Sequence, residues 1–474
     1  MDRYDEFAQS IQNAADAMFM PWTVGVLLAT GALFTIRTGV VQIRRLPEAL
    51  RMTVGQQNGA GGALSPFQAF MTALGATIGV GNIAGVATAI IAGGPGALFW
   101  IWCYGFFAAA IKFAEASLGL KFRIPHGAAT LAGPMYYLRD GIGSPGLAWI
   151  YALVAGFACL FTTPFTQPNS IAVVLESQLH NHALSLGDFT VRGVPISGDR
   201  LAVGVVLAML TWLVIIGGVK KIGLVAEMLS PLKVGFYMIG GLIVIGMNIS
   251  KLPEVLSLVF HEAFALRPLE GAAAGGIMST VLGNAMRYGF ARGAYANEAG
   301  YGTAAVVYGV AKSDHPDQQG LNAMMEVFII TFVTATISAL TILLTGTWKL
   351  EGVKSAAAVS EAFNAAMPTV GGWMVAFSVF LFGYTTLMGW SFYGEQFLEY
   401  LFGPRVIAPY RWVYCSLIPL GAIAKVDLVW AWGDILNGSQ IFPNLVGVIA
   451  LSGLVAKFAR GDSAEPAGYA RRKR

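Results

Sequence analysis

Closely spaced glycines and two polar side chains interrupt a long apolar run in the segment ATIGVGNIAG, residues 76–85. Each glycine disfavours a helix by about 1 kcal/mol relative to alanine, and hydrocarbon offers no water to backbone groups that leave a helix. An unwound segment would expose carbonyl oxygens that can replace the water around a monovalent cation, and N–H groups that can bind a carboxylate. Thr77 and Asn82 would add neutral oxygens. By themselves, the glycines are equally consistent with close helix packing.

A second apolar run, GAAAGGIMSTVLGNAMRYGFARG at residues 271–293, repeats this composition in the other half of the chain. Among its glycines lie three neutral polar residues, Ser279, Thr280 and Asn284. Paired interrupted spans in two halves of a chain indicate the central binding site of a secondary transporter. Neither break contains Asp or Glu, which argues against a proton relay there because a proton needs a titratable carrier.

The two runs belong to a series of predicted membrane spans. Windows of about 20 apolar residues predict eleven of them, at residues 21–41, 66–92, 95–120, 148–177, 200–219, 224–248, 271–294, 322–346, 370–393, 410–430 and 440–458. The interrupted runs fall in the second and seventh spans, and each opens a set of five. Because five is odd, the second set would insert upside down relative to the first, as a 5+5 inverted repeat. The expected division is an N-terminal segment with one extra helix, a first repeat, and a second repeat with a basic tail: residues 1–65, 66–250 and 251–474.

The composition is that of an all-α polytopic membrane protein. Hydrophobic residues make up 56% of the 474 residues and charged residues only 12%, whereas soluble domains carry about 25% charged residues. The net charge of +4 is scattered, so no nucleic-acid partner is expected. The three cysteines lie in apolar segments without metal-ligand spacing. The spans contain no clustered His, Asp or Glu that would indicate a membrane-embedded enzyme.

Lys and Arg are unevenly distributed between alternate loops, and this bias predicts the orientation. The loops after the first, third and fifth spans are basic, as is the C-terminal tail YARRKR. We therefore expect a multi-pass protein of the plasma (inner) membrane, surrounded by lipid, with its N-terminus outside and its C-terminus in the cytoplasm. The pattern carries no indication of an oligomeric state.

Four stretches, in order along the chain, resemble the sodium:alanine (alanine or glycine:cation) symporter family: SPFQAFMTALGATIGVGNIAGVATAIIAGGPGALFWIW (65–102), RYGFARGAYANEAGYGTAA (287–305), SDHPDQQGLNAMMEVFIIT (313–331) and GWSFYGEQFLEYLFG (389–403). The resemblance covers spans two to eleven. It implies a LeuT-type fold with one extra first helix. It also implies inward movement of small neutral amino acids, mainly alanine and glycine and in some members glutamine. Na⁺ would be the coupling ion, without an organic cofactor.

The resemblance further implies a set of site residues. The substrate would contact the two interrupted spans, the fourth span and one tryptophan: Thr77, Gly79, Gly81, Gln167, Asn169, Gly276, Thr280, Gly283 and Trp390. One sodium ion would bind the side chain of Asn82. A second sodium ion would bind the hydroxyls of Thr385 and Thr386. Its other ligands would be carbonyl oxygens around Gly75 and Ile78.

Each assignment has a structural alternative. The threonine hydroxyls could donate to their own helix, and Trp390 could pack or face lipid. Gln167 and Asn169 could bond inside a helix kinked by Pro164 and Pro168. Position 283 carries glycine where methionine is frequent in the family, so a pocket facing it would be wide enough for glutamine.

Several charged residues lie in or beside the spans without a motif: Lys112, Glu115, Glu227, Lys233, Arg292 and Glu298. Lys112 and Glu115 are three residues apart, which favours a pair on one helix face. Arg292 and Glu298 are expected just past span seven on the cytoplasmic side, as a gate or as a helix cap. The alternative function is proton-coupled transport of an amino acid or amine. It would need a carboxylate near the breaks, and the linear sequence places none there.

Overall fold

The computed structural model describes residues 22–54, 61–126, 129–181, 185–191, 194–265, 283–350, 352–353 and 355–462, with short stretches between residues 10 and 18. The long apolar runs form helices, because a helix satisfies its own backbone hydrogen bonds where no water is present. The helices of the first half are α1 Val24–Arg37, α2 Val41–Arg44, α3 Leu46–Val54, α4 Pro66–Thr77, α5 Ala84–Gly93, α6 Ala97–Lys121, α7 Pro134–Tyr136, α8 Pro145–Phe161, α9 Thr163–Asn181, α10 Gly198–Ile215 and α11 Gly218–Met247.

The second half is also helical. Its helices are α12 Leu252–Ala263, α13 Asn284–Asn297, α14 Thr303–Gly309, α15 Pro316–Phe328, α16 Thr336–Thr345, α17 Ala356–Ala366, α18 Gly371–Phe402, α19 Ile407–Ile423, α20 Val426–Ala450 and α21 Ser452–Ala459. Single 3₁₀ turns occupy Val80–Asn82, Ile249–Lys251, Thr347–Lys349 and Pro404–Val406, and π-helical turns occupy Tyr137–Gly141 and Ile329–Ala335.

Two short antiparallel hairpins lie in loops between the helices. In the first, β1 (Ile124–His126) pairs with β2 (Ala129–Leu131), and Ile124 lies opposite Leu131. In the second, β3 (Asp188–Val191) pairs with β4 (Val194–Ser197), and Asp188 lies opposite Ser197. The architecture of the described residues is therefore a helix bundle with small loop hairpins, as the composition predicted.

The described residues contain seven helices that are long and apolar enough to cross a membrane, or nine spans if each of two bent pairs counts as one. One bent pair is α4 with the 3₁₀ turn and α5, at 65°, and the other is α20 with α21, at 66°. The shorter apolar helix α1 lies in the predicted first span, and α13 contains the last part of the seventh. The count of eleven spans remains a prediction.

The boundary predicted between the last two spans is wrong. A loop was expected between residues 430 and 440, but α19 ends at Ile423 and α20 runs without interruption from Val426 to Ala450. Asn437, in the interval left between the two predicted spans, and Gln440, at the start of the last one, are buried inside the bundle, at 2% and 0% exposure. The polar residues of this stretch therefore lie on a side of α20 that packs against protein.

Helix α18 lies in the interior and positions the broken helix. It packs against α4, α8, α9 and α11, and α4 packs in turn against α11. In the most apolar window of α18, 89% of the residues are buried, whereas the corresponding window of α10 is 33% buried. Helices such as α10 and α11 expose large apolar side chains, among them Leu213 and Leu242, as helices facing hydrocarbon do. The break between α4 and α5 is therefore held within protein.

Candidate functional site

The broken helix is defined at its start and at its interruption. Ser65 and Gln68 form a capping box at the start of α4, with each side chain accepting a hydrogen bond from the other residue's backbone N–H, at 3.0 and 3.1 Å. The helix ends at Thr77, and after Ile78 and an extended Gly79 the chain makes one 3₁₀ turn before α5. The predicted interruption is present at the predicted residues.

Two glycines in the break are required by the close approach of other helices. A Cβ on Gly79 would lie 2.9 Å from Thr386 Oγ1 and 3.0 Å from Gln167 Oε1, and a Cβ on Gly81 would lie 2.9 Å from the Tyr295 ring. Such distances are shorter than van der Waals contact. The glycines allow α9, α13 and α18 to reach the backbone of the break.

Side chains from other helices satisfy part of the opened backbone. The N–H of Val80 donates to Gln167 Oε1 at 3.2 Å, and the hydroxyl of Ser338 donates to the carbonyl of Asn82 at 2.9 Å. Asn82 Nδ2 donates to the carbonyl of Thr77 at 3.1 Å, across the break. Buried backbone groups that leave a helix need such partners, so these contacts stabilise the unwound conformation.

A cavity lies against the break. Its lining comes from the break, the α8–α9 junction, α13 and the loop after it, α18 and α20: Ala76, Thr77, Gly79, Gly81, Asn82, Thr162, Thr163, Gln167, Tyr295, Ala296, Glu298, Tyr301, Thr386, Trp390 and Asn437. Four oxygens of lining residues are buried and have no hydrogen-bond partner: Thr77 Oγ1, Asn82 Oδ1, Thr162 Oγ1 and the Tyr301 hydroxyl. An unpaired buried polar atom is costly, which makes these oxygens candidates for binding a ligand.

Glu298 brings a carboxylate to this cavity. It follows the last residue of α13 in a left-handed conformation, at φ 53°. Its carboxylate accepts hydrogen bonds from Trp390 Nε1 at 2.8 Å and from Thr303 Oγ1 at 3.1 Å. Glu298 therefore ends a helix and also lines the cavity. The tertiary structure supplies the acidic group near the break that the linear sequence lacked.

The oxygens predicted to bind a second sodium ion contact a lysine instead. Lys233 Nζ, from α11, donates to the carbonyls of Gly75 at 2.9 Å and Ile78 at 2.7 Å, and to Thr385 Oγ1 at 2.6 Å. Thr386 Oγ1 donates to the carbonyl of Gly75 at 3.3 Å. The second sodium site expected from the resemblance does not fit this arrangement, because an ammonium group already uses three of its ligands.

The two threonines make different contacts. The Thr385 hydroxyl lies within hydrogen-bond distance of the carbonyls of Leu381 and Phe382 on its own helix, and it accepts from Lys233. Thr386 reaches across to the break and lines the cavity. Trp390 is 3% exposed and faces the cavity instead of lipid.

Two predicted substrate contacts lie elsewhere in this structure. Asn169 Nδ2 donates to the carbonyls of Gly421 at 3.1 Å and Ala424 at 2.7 Å, at the end of α19, and Asn169 is not part of the cavity lining. Gly283 precedes α13, and a Cβ there would point at the carbonyl of Ala265. Gly283 is not among the described residues that line the cavity, so the wider pocket expected from it stays a prediction. Gly276 and Thr280 lie outside the described residues.

The other intramembrane charges are paired differently from expectation. Lys112 Nζ binds Glu326 Oε1 at 3.0 Å instead of pairing with Glu115, and all three residues are fully buried. Glu115 accepts from the N–H of Gly302 at 3.0 Å and from Asn444 Nδ2 at 2.7 Å. These groups therefore lie in the interior of the bundle.

Arg292 also differs from its predicted position. It lies within α13 instead of beyond the span, and its guanidinium is 3.7 Å from Asp434 Oδ2 on α20. The same group lies over the Trp430 ring, 5.9 Å from its centroid. An ion pair therefore joins α13 to α20 one turn of helix before the cavity residues Tyr295 and Asn437.

Sequence reasoning missed the role of Lys233 and eight of the fifteen residues that line the cavity: Ala76, Thr162, Thr163, Tyr295, Ala296, Glu298, Tyr301 and Asn437. Glu298 was noted as a gate or cap but not placed at the site, whereas Tyr295 and Asn437 were not considered. A signal existed for Lys233, because a charged residue inside a span is a functional hypothesis by default. Asn437 stood in a polar run that was assigned to a loop.

Comparison with known proteins agrees with this architecture. Residues 4–465 match the family described as the Sodium:alanine symporter family. The Sodium/alanine symporter AgcS of Methanococcus maripaludis is 37% identical over 460 residues, which cover 95% of this chain and 96% of that protein. A Bacillus subtilis protein named "Probable sodium/glutamine symporter GlnT" is 32% identical, covering 93% of this chain and 88% of its own length.

A solved structure shows the same fold. The manganese transporter of Eremococcus coleocola superposes with a TM-score of 0.51 at 14% identity, covering 87% of this chain and 82% of that one. At this identity the likeness concerns the fold alone. With the sequence matches along nearly the whole chain, it identifies a multi-pass membrane transporter with the LeuT-type fold. The chain belongs to the sodium:alanine symporter family.

Proposed function

We propose that the protein is a secondary symporter that couples the inward movement of Na⁺ to uptake of a small neutral amino acid, alanine or glycine in the first instance. The observation that supports this most directly is the cavity at the break, where Thr77 Oγ1 and Asn82 Oδ1 are buried without a partner. The relatives named for sodium/alanine and sodium/glutamine symport support the substrate class.

The chemistry of the cavity suits a zwitterion. Negative charge is favoured at the N-terminal end of a helix and positive charge at the C-terminal end. The substrate carboxylate would lie toward the start of α5, and its ammonium group toward the end of α4 and the carboxylate of Glu298. The side chain would face the rings of Trp390 and Tyr295. Glutamine remains a possible substrate on the strength of the relatives, without support from Gly283.

Sodium would be a transported substrate of this protein. Its proposed ligands are the unpaired neutral oxygens of Asn82 and Thr77, which suit a hard monovalent cation. Coupling would follow from linkage, because each ligand would raise the affinity for the other by the same factor. The repeats at 66–250 and 251–474 would then rock about the midplane to expose the cavity alternately, with the C-terminus in the cytoplasm.

A proton-coupled transporter is the second candidate. It is supported by the titratable groups that the fold brings to the break, Glu298 at the cavity and Lys233 behind it. Such a transporter would show uptake driven by a pH gradient in the absence of sodium.

The test is uptake of labelled alanine, glycine and glutamine into proteoliposomes, with Na⁺ or choline outside and with or without a pH gradient. We expect accumulation only with Na⁺. Accumulation that persists unchanged in choline would refute sodium coupling, and a pH-driven signal would favour the second candidate. Asn82→Ala should raise the sodium concentration needed for half-maximal uptake, measured at matched protein incorporation.

A further inference from the structure

Lys233 lies at the point where the family resemblance implies a second sodium ion. The residue is fully buried on α11, at 0% exposure. Its ammonium group donates to the carbonyls of Gly75 and Ile78 and to Thr385 Oγ1, at 2.6 to 2.9 Å. An ammonium group has three donors, and all three are used.

The surroundings of Lys233 are neutral. In the part of the chain that the structure describes, no carboxylate lies within 4.0 Å of Nζ, and the nearest groups are carbonyls, a hydroxyl and the Phe382 ring, 5.3 Å away at its centroid. The Glu298 carboxylate accepts from Trp390 Nε1 and Thr303 Oγ1 instead. Glu227, on the same helix, accepts a hydrogen bond from Gln68 Nε2 at 3.0 Å. The charge of Lys233 is therefore compensated by oxygen dipoles, as that of a bound monovalent cation would be.

Lys233 and a sodium ion could not use these oxygens together. The oxygens of Gly75, Ile78 and Thr385 would have to bind both cations, and two positive charges a few ångströms apart repel strongly in a buried site. The lysine also joins three elements, because α11 supplies the cation, the break supplies two carbonyls and α18 supplies the hydroxyl. A sodium ion bound at this point would bridge the break to α18 in the same way.

We propose that the Lys233 ammonium group is a built-in replacement for a sodium ion. Without the lysine, the oxygens of Gly75, Ile78, Thr385 and Thr386 would bind a second sodium ion, so this protein has one sodium site fewer. That sodium binding at the remaining site is coupled to amino-acid uptake rests on the proposed function. The replacement itself does not, because it concerns only which cation these oxygens bind.

The experiment counts bound sodium. Purified full-length protein and its variants are titrated with ²²Na⁺ in detergent at saturating alanine, and each sample is first shown to be monodisperse. Lys233→Ala removes the ammonium group and leaves its oxygens free, so it should bind about one sodium ion per chain more than the wild type. Lys233→Met removes the charge but fills most of the same volume, and its sodium count should equal that of the wild type.

Equal sodium counts for Lys233→Ala and the wild type would overturn the proposal. So would a wild-type count of two, a result that remains decisive if the alanine variant does not fold. A wild-type count of zero with one ion in Lys233→Ala would support the replacement while refuting sodium coupling in the native protein. The failure of the proposed function is thereby distinguished from the failure of this inference.

Discussion

Gln167 and Asn169 are two residues apart on α9, and the structure separates their roles. Gln167 Oε1 accepts from the N–H of Val80 in the break, at 3.2 Å, and Gln167 lines the cavity. Asn169 donates instead to the carbonyls of Gly421 and Ala424. Replacing each residue should therefore change a different property of the protein.

The expected change in KM for Gln167→Leu follows from the hydrogen bond that is lost. Val80 is fully buried, so its N–H would be left without a partner, at a cost of about 1–3 kcal/mol. That cost disfavours the unwound conformation, and apparent affinity falls with the population of the competent state. At about 1.4 kcal/mol per factor of ten, KM for the amino acid should rise by roughly 5- to 150-fold.

Asn169→Ala is the matched control on the same helix. It removes two hydrogen bonds to carbonyls, each contributing about 1 kcal/mol, so the free energy of unfolding should fall by about 2 kcal/mol. The assays are initial rates of uptake into proteoliposomes for KM, and thermal unfolding in detergent for stability. Equal increases in KM for both variants, or an increase for Asn169→Ala alone, would refute the assignment of roles made from the geometry.

Two further predictions concern packing and buried charge. Gly81→Ala should lower the initial rate of uptake, because its Cβ would lie 2.9 Å from the Tyr295 ring; a wild-type rate would show that the ring moves aside at little cost. Lys112→Met should destabilise the protein by about 3–5 kcal/mol, because it leaves Glu326 as an uncompensated buried charge. The double variant Lys112→Met/Glu326→Met should recover most of that loss in thermal unfolding, and a double variant as unstable as Lys112→Met would contradict this account.

Much of the fold could be predicted from the sequence because the bilayer imposes simple requirements. Apolar runs long enough to cross hydrocarbon must be helical, and the described spans follow those runs. The interruption at Gly79 could also be predicted, since glycine weakens a helix and allows other helices to approach its backbone closely. The prediction failed for α20, where the interval left between two predicted spans is helical and its polar residue Asn437 is buried in protein.

The candidate site was less predictable, since it depends on which sides of several helices meet. A helix in a membrane is apolar toward lipid and largely apolar toward protein, so composition gives little indication of its rotation. Gln167 and Asn169 illustrate this, because one amide faces the cavity and its near neighbour faces α19. No local pattern distinguishes them.

From the sequence alone, hydropathy predicted the membrane spans, the four matching stretches indicated the family, and the paired glycine-rich runs predicted a break in the second span near Gly79, because each of these patterns is local. Only the tertiary structure decided which groups reach the break. Lys233 is separated from Gly75 by 158 positions in the chain, and its contact with that carbonyl depends on how α11, α4 and α18 pack. Which cation contacts the Gly75 carbonyl is therefore determined by the packing of helices that are far apart in the sequence.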